Sequence, residues 1–172
     1  KGFLIEDDSK LEKRFAGRVV EQFVHPLVMD KITAIQHAFF QFLLGNTDFS
    51  TAYQHNAKML YDSKTYIPLP YDFDMTGWVD PSYGFGNPTL GIKSLTDRRY
   101  RGFKRDSELM NKVRKQFNDS KDEIISLVNS FKPEFDSENE FENMYSFMSE
   151  FFNIIEDDSK FEKLIVNEAR TK

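Results

Sequence analysis

Two prolines spaced two residues apart constrain this chain more than any other feature. Pro68 and Pro70 lie in the run Tyr66-Ile67-Pro68-Leu69-Pro70-Tyr71, which follows Ala57-Lys58-Met59-Leu60-Tyr61 and the turn-forming Asp62-Ser63-Lys64-Thr65. Two apolar runs flanking such a turn predict a β-hairpin. Proline has no N–H to give to a ladder, and residues two apart on a strand present their main-chain groups to the same side. The second strand can pair on one side alone, so it is expected at a sheet edge. Turning about Ser63 and Lys64, the hairpin sets Tyr61 opposite Tyr66 and Met59 opposite Pro68. Its open end then brings His55 and Asn56 beside Tyr71 and Asp72.

Helical patterns dominate the rest. Asp7-Asp8-Ser9 ahead of Lys10-Leu11-Glu12-Lys13-Arg14 puts acids at the positive end of a helix dipole and bases further along, which predicts a helix from about Ser9. From Pro26, apolar residues recur at spacings of three and four as far as Leu43, and Gly45 follows as a stop, so one long helix is expected over Pro26 to Leu44. One or two helices are expected between Ser107 and Phe131, ended by Pro133. Further stripes run from Phe141 to Phe152 and from Phe161 to Ile165. The Met and aromatic stripe at 141–152 reads as core packing and not as a cofactor box. Residues 75–106, rich in Gly and Pro, have no sustained period and predict a long irregular excursion. Gly2-Phe3-Leu4-Ile5 is strand-like. Ile5-Glu6-Asp7-Asp8-Ser9-Lys10 recurs as Ile155-Glu156-Asp157-Asp158-Ser159-Lys160, two uses of one way to start a helix.

Composition removes whole classes of function. With no cysteine there is no disulfide, zinc–thiolate site or thiol nucleophile. A net charge of -5 gives no general attraction to nucleic acid, so any anion site must be local. Every apolar stretch is interrupted before the length a bilayer crossing needs, and the first residues lack the pattern of a signal peptide. Lacking an initiator Met and opening on an apolar run, the chain reads as part of a longer polypeptide.

The chemistry converges on the segment from Gly45-Asn46-Thr47-Asp48 to Asp72-Phe73-Asp74. The hairpin's open end juxtaposes Asn56 with Asp72, and the loop carrying Asp48 enters the same end. Oxygen donors of this kind suit Mg²⁺ or Mn²⁺, which take one or two protein groups plus substrate phosphates and water. A further acid can orient a hydroxyl or accept its proton. Together these are the parts needed for phosphoryl transfer.

A long apolar helix, a loop with an Asp, an Asn opening a short hairpin and an Asp-Phe-Asp closing it resemble the C-terminal lobe of the protein-kinase-like fold. The resemblance is closest to its atypical branch, which holds the HipA toxin kinases and CotH spore-coat kinases, and to exported Bacteroidetes proteins bearing Gly-Asn-Thr-Asp and Tyr-Asp-Phe-Asp. It covers residues 2–105. It implies a mainly α (α+β) fold with one or two small hairpins, a single domain over 1–172 with a helical extension at 106–172, and a partnering N-terminal lobe outside this chain, joined through Gly2 to Asp7. It also implies an ATP-dependent phosphotransferase acting on a protein or small-molecule hydroxyl, inactive or nearly so as this fragment, and an exported location. Asp48 would be the catalytic acid. Asn56 and Asp72 would bind the nucleotide through Mg²⁺ or Mn²⁺, and Asp74 would join them as a metal ligand. Two departures stand out. Asp48 and Asn56 are eight residues apart, where the kinase catalytic loop has five, and Asp74 replaces the glycine after Asp-Phe.

Plainer roles compete for the same residues. Asp48 after Gly-Asn can cap a helical turn, and His25, His37 and His55 suit structural hydrogen bonding better than catalysis. Ser50 and Ser82 lack His and acid partners at readable spacing, which argues against a serine hydrolase. Arg98, Arg99, Arg101, Lys104 and Arg105 form a basic stretch that reads as a solvated face or a clamp on the domain's own acids, with phosphate binding beside the cleft as the alternative. The competing class is a non-catalytic binding module, either a degenerate kinase-like domain or an unrelated α+β domain.

Overall fold

The structure is a computed structural model, and it describes residues 6–171. About half of the chain is helical, and a three-stranded antiparallel sheet supports the helices. The strand-like Gly2–Ile5 lies outside the described residues.

Helix α1 (Asp8–Phe15) starts at Asp7, whose carboxylate accepts the Ser9 N–H. The repeated motif starts α6 (Asp158–Phe161) in the same manner, with Asp157 accepting from the Lys160 N–H. In both helices the fourth residue is the buried one, Leu11 and Phe161. One local solution thus serves twice, at opposite ends of the chain.

The hairpin has the expected register. Strand β2 (Ala57–Tyr61) pairs with β3 (Tyr66–Pro70), with Tyr61 opposite Tyr66 and Met59 opposite Pro68. A two-residue strand β1 (Arg18–Val19) pairs with the other side of β2, leaving β3 at the edge. The outer side of β3 offers acceptors but no proline N–H, and the Asp30 N–H bonds the Tyr66 oxygen there at 2.8 Å.

The helix expected over Pro26 to Leu44 is two elements. Pro26–Val28 forms one 3₁₀ turn capped by the His25 imidazole, Met29 is extended, and α2 (Lys31–Leu44) begins afresh at Asp30. The Asp30 carboxylate accepts from both the Thr33 N–H at 2.8 Å and its hydroxyl at 3.0 Å. That local cap outweighs the continuous apolar period, because a capped start satisfies N–H groups that a straight run would not. Gly45 ends α2 at φ 63°, and a side chain there would collide with the Phe147 ring at 2.5 Å.

Helices α3 (Ser107–Asp119), α4 (Lys121–Ser130) and α5 (Glu138–Glu156) follow, and α6 runs into a wide turn over Glu162–Val166. Ile35, Phe39 and Phe42 of α2 share one core with Val113, Phe151 and Ile165. The Met and aromatic stripe of α5 is buried through Met148, Phe151 and Phe152, as core packing requires. Residues 75–106 contain only a short 3₁₀ turn, Pro88–Leu90. Among the described residues no helix is long and apolar enough to cross a membrane.

Candidate functional site

The loop after α2 is tied down on two sides. Asn46 bridges to Thr76, and the N–H groups of Gly77 and Trp78 bond the oxygens of Gly45 and Leu44. The segment after β3 is thereby drawn against the Asp48 loop. Asn46 then turns the chain, its side-chain oxygen accepting the Asp48 N–H at 2.8 Å. Thr47 and Phe49 are buried, so Asp48 between them points outward, with half of its side chain exposed.

Three candidate residues meet here. His55 Nε2 lies 3.0 Å from Asp48 Oδ1, and Asn56 Nδ2 donates to the Asp48 main-chain oxygen at 2.8 Å and to Oδ2 at 3.2 Å. Mutual bonds between the main chains of Ser50 and His55, at 2.9 and 3.0 Å, close a loop within the eight-residue interval. Asp48 caps no helical turn; its carboxylate is taken up by two side chains. The Asn56 side-chain oxygen stays free of that network, since the amide nitrogen makes both bonds.

Asp72 and Asp74 occupy the adjoining turn. The Tyr71 N–H bonds the Asn56 main-chain oxygen at 3.2 Å, so the hairpin's open end does join these segments. Asn56 and Asp72 both take left-handed conformations there, at φ 51° and 59°. Asn56 and Asp72 side chains make no direct hydrogen bond; the groups that act on Asp72 are the neighbouring carboxylates. Burial, then the Asp74 carboxylate, and finally Asp48 push the Asp72 carboxyl up from its ordinary value. Asp74 also accepts from the Tyr83 hydroxyl at 3.4 Å. Burial followed by the Asp74 charge pushes that phenol up as well.

Asp72 and Asp74 line an open cleft of about 600 Å³, together with Lys58, Arg14, Tyr71 and Glu6. Asp48 and Asn56 stand beside the cleft and not in its wall. Lys58 enters it from β2 and pairs with Asp8 of α1. Sequence reasoning passed over Lys58 and Tyr83; the one available signal was that Lys58 is the polar member of an otherwise apolar strand. Among the described residues, no group of three His, Asp or Glu side chains is arranged to hold a metal ion.

Most of the basic stretch is neither a solvated face nor a clamp on the domain's own acids. Arg98 Nη1 and Nη2 hold the carbonyls of Phe42, Leu43 and Phe147, Arg101 holds those of Thr47 and Phe49, and Arg105 those of Pro26 and Leu27. Only Arg99 pairs with an acid, Glu168, among these arginines in the described residues. Arginine forks suit the exposed carbonyls at a helix end, where the dipole is negative, and α2 ends at Phe42 to Leu44. Compared with protein-family models, with curated proteins and with solved structures, the chain matches none.

Proposed function

We propose that this chain is the C-terminal lobe of a metal- and ATP-dependent phosphotransferase of atypical kinase type, acting on a hydroxyl of a protein or small molecule. The observation that carries the reading is the seating of Asp48 against Asn56 and His55, beside a carboxylate pair that opens onto a cleft. Asp48, exposed and held at both oxygens, orients the acceptor hydroxyl and takes its proton as the γ-phosphoryl group moves to the acceptor oxygen and ADP leaves. The free Asn56 side-chain oxygen and the crowded Asp72 and Asp74 carboxylates fit Mg²⁺ or Mn²⁺, because a divalent cation relieves the repulsion that, after burial, raises Asp72. When bound, such a cation would neutralise charge on the nucleotide phosphates. Lys58 and Arg14 supply positive charge on the same cleft wall.

A non-catalytic binding module is the second reading. It is favoured by the lack of a complete metal-ligating cluster among the described residues and by Phe23 and Tyr53, which lie 5.3 Å apart and are 58% and 79% exposed.

Calorimetric titration of the chain with Mn²⁺ and ATP separates the two. The phosphotransferase reading expects weak binding that Asp72→Asn removes. Binding unchanged by that substitution, or none at millimolar ligand, supports the module.

A further inference from the structure

A second, small cavity, walled mostly by apolar residues but holding three arginines, lies away from the cleft and shares no lining residue with it. It forms where the segment 100–105 packs between α2 and the chain's last described residues, and its walls include His37, Tyr100, Arg101, Arg105 and Arg170. Arg170 is fastened in place by a short parallel pairing with Phe103. Its N–H bonds the Gly102 oxygen at 2.9 Å, and its oxygen accepts from Lys104 at 2.8 Å. Three arginines therefore line one small space, with the Arg101 and Arg105 guanidinium groups also held by main-chain carbonyls.

No carboxylate in the wall balances their positive charge. Among the described residues, Arg101, Arg105 and Arg170 make no ion pair with a carboxylate, and no Asp or Glu lines the cavity. Asp48 favours the charge on Arg101, and Asp106 and Asp30 that on Arg105, from outside the wall. Burial, with Arg170 adding repulsion, pushes Arg101 down to about 10. His37, buried against Gln41, stays neutral and adds no charge.

The unpartnered atoms of the wall residues are donors. The Tyr100 hydroxyl and Arg170 Nε are both buried without a hydrogen-bond partner, and Tyr100 is only 2% exposed. Burial pushes the Tyr100 phenol up, which keeps its proton in place. Its hydroxyl lies against Gly102, where a side chain would come within 2.3 Å of it. Two buried donors among three cations leave an acceptor missing. The cavity, about 20 Å³, has room for one water-sized species and none for a phosphate ester or a nucleotide.

We propose that this cavity is a binding site for a small monovalent anion of halide size, held by Arg101, Arg105 and Arg170 with the Tyr100 hydroxyl as a donor. Water satisfies the donors but leaves the charge unbalanced; a halide does both. Arg101 also grips the Thr47 and Phe49 oxygens at 2.5 and 2.8 Å, on either side of Asp48, so an anion here steadies the loop that presents Asp48.

The test is thermal unfolding of the chain at fixed ionic strength, as sodium gluconate, too large for the cavity, is replaced stepwise by sodium chloride or bromide. The melting temperature should rise saturably by several degrees with either halide. Tyr100→Phe and Arg170→Met should each weaken the apparent halide affinity about tenfold. A melting temperature indifferent to the anion overturns the proposal, and so does saturable stabilisation that both variants retain in full. Should either variant fail to fold, bromide-soaked crystals of the unaltered chain decide the matter. An anomalous peak among the three guanidinium groups is expected, and a water or nothing there overturns it.

Discussion

Asn56 donates to Asp48 twice, through the main-chain oxygen at 2.8 Å and the carboxylate at 3.2 Å, across eight residues of sequence. It does so from a left-handed backbone, a conformation that Asn tolerates better than most residues. Asn56→Ala loses both bonds and keeps the backbone cost, so a loss of about 1–2 kcal/mol is expected in urea unfolding. Asn56→Gly removes the same bonds but relieves the backbone, and should cost less than Asn56→Ala. Equal losses would show that the backbone conformation contributes nothing.

Asp72 and His37 give stability opposite dependences on pH. Burial, then Asp74 and Asp48, raise the Asp72 carboxyl, so its protonated form is favoured in the fold. Its contribution is full below the ordinary carboxylate value and is lost as pH rises through the raised one. Without divalent cations, Asp72→Asn should therefore raise the melting temperature at pH 7 and change it little near pH 3. A lowered melting temperature at pH 7 would mean that the Asp72 charge is favourably held.

Burial pushes His37 down to about 4 from an ordinary value of 6.5. The fold favours neutral imidazole, so stability is full above 6.5 and falls as pH drops toward 4, by about 3 kcal/mol at most. In halide-free buffer, His37→Gln should flatten the urea-unfolding profile between pH 6.5 and 4. An unchanged slope would place the acid sensitivity elsewhere.

Arg98 joins the end of α2 to the middle of α5, bonding Leu43 at 2.6 Å and Phe147 at 2.5 Å, and its guanidinium stacks 3.9 Å from the centre of the Phe147 ring. Removing it takes a donor from the carbonyls of Leu43 and Phe147. Arg98→Ala should cost about 3 kcal/mol in urea unfolding, and Arg98→Lys, lacking the planar fork, should recover less than half of that. Full recovery by Lys would show that charge alone matters there.

What the sequence makes legible depends on whether its physics is local. Proline spacing decided the edge strand, because a missing N–H acts at its own position, and the turn about Ser63 and Lys64 decided the register. The Asp7 and Asp157 starts were equally readable. The break at Met29 was not: apolar periodicity runs straight through it, and only the Asp30–Thr33 cap interrupts it. The two-residue β1 offers no periodicity at all. The arginines of 98–105 were misread because their partners are main-chain carbonyls far along the chain, which leave no mark in a sequence. At the candidate site, the nearness of Asn56 to the Tyr71–Asp72 end followed from the hairpin. The His55 to Asp48 bond depends on the Ser50–His55 pairing, a closure no residue pattern announces.

The most direct measurement is a paramagnetic map: amide NMR spectra of the chain with ADP, recorded as Mn²⁺ is added at substoichiometric levels. A cation held by Asn56, Asp72 and Asp74 broadens signals from residues 46–56 and 71–76 first, leaves those of 120–135 sharp, and loses this pattern in Asp72→Asn. Broadening confined to exposed acids of α4 and α5, or an unchanged map in Asp72→Asn, would contradict the assignment of these residues to a metal–nucleotide site.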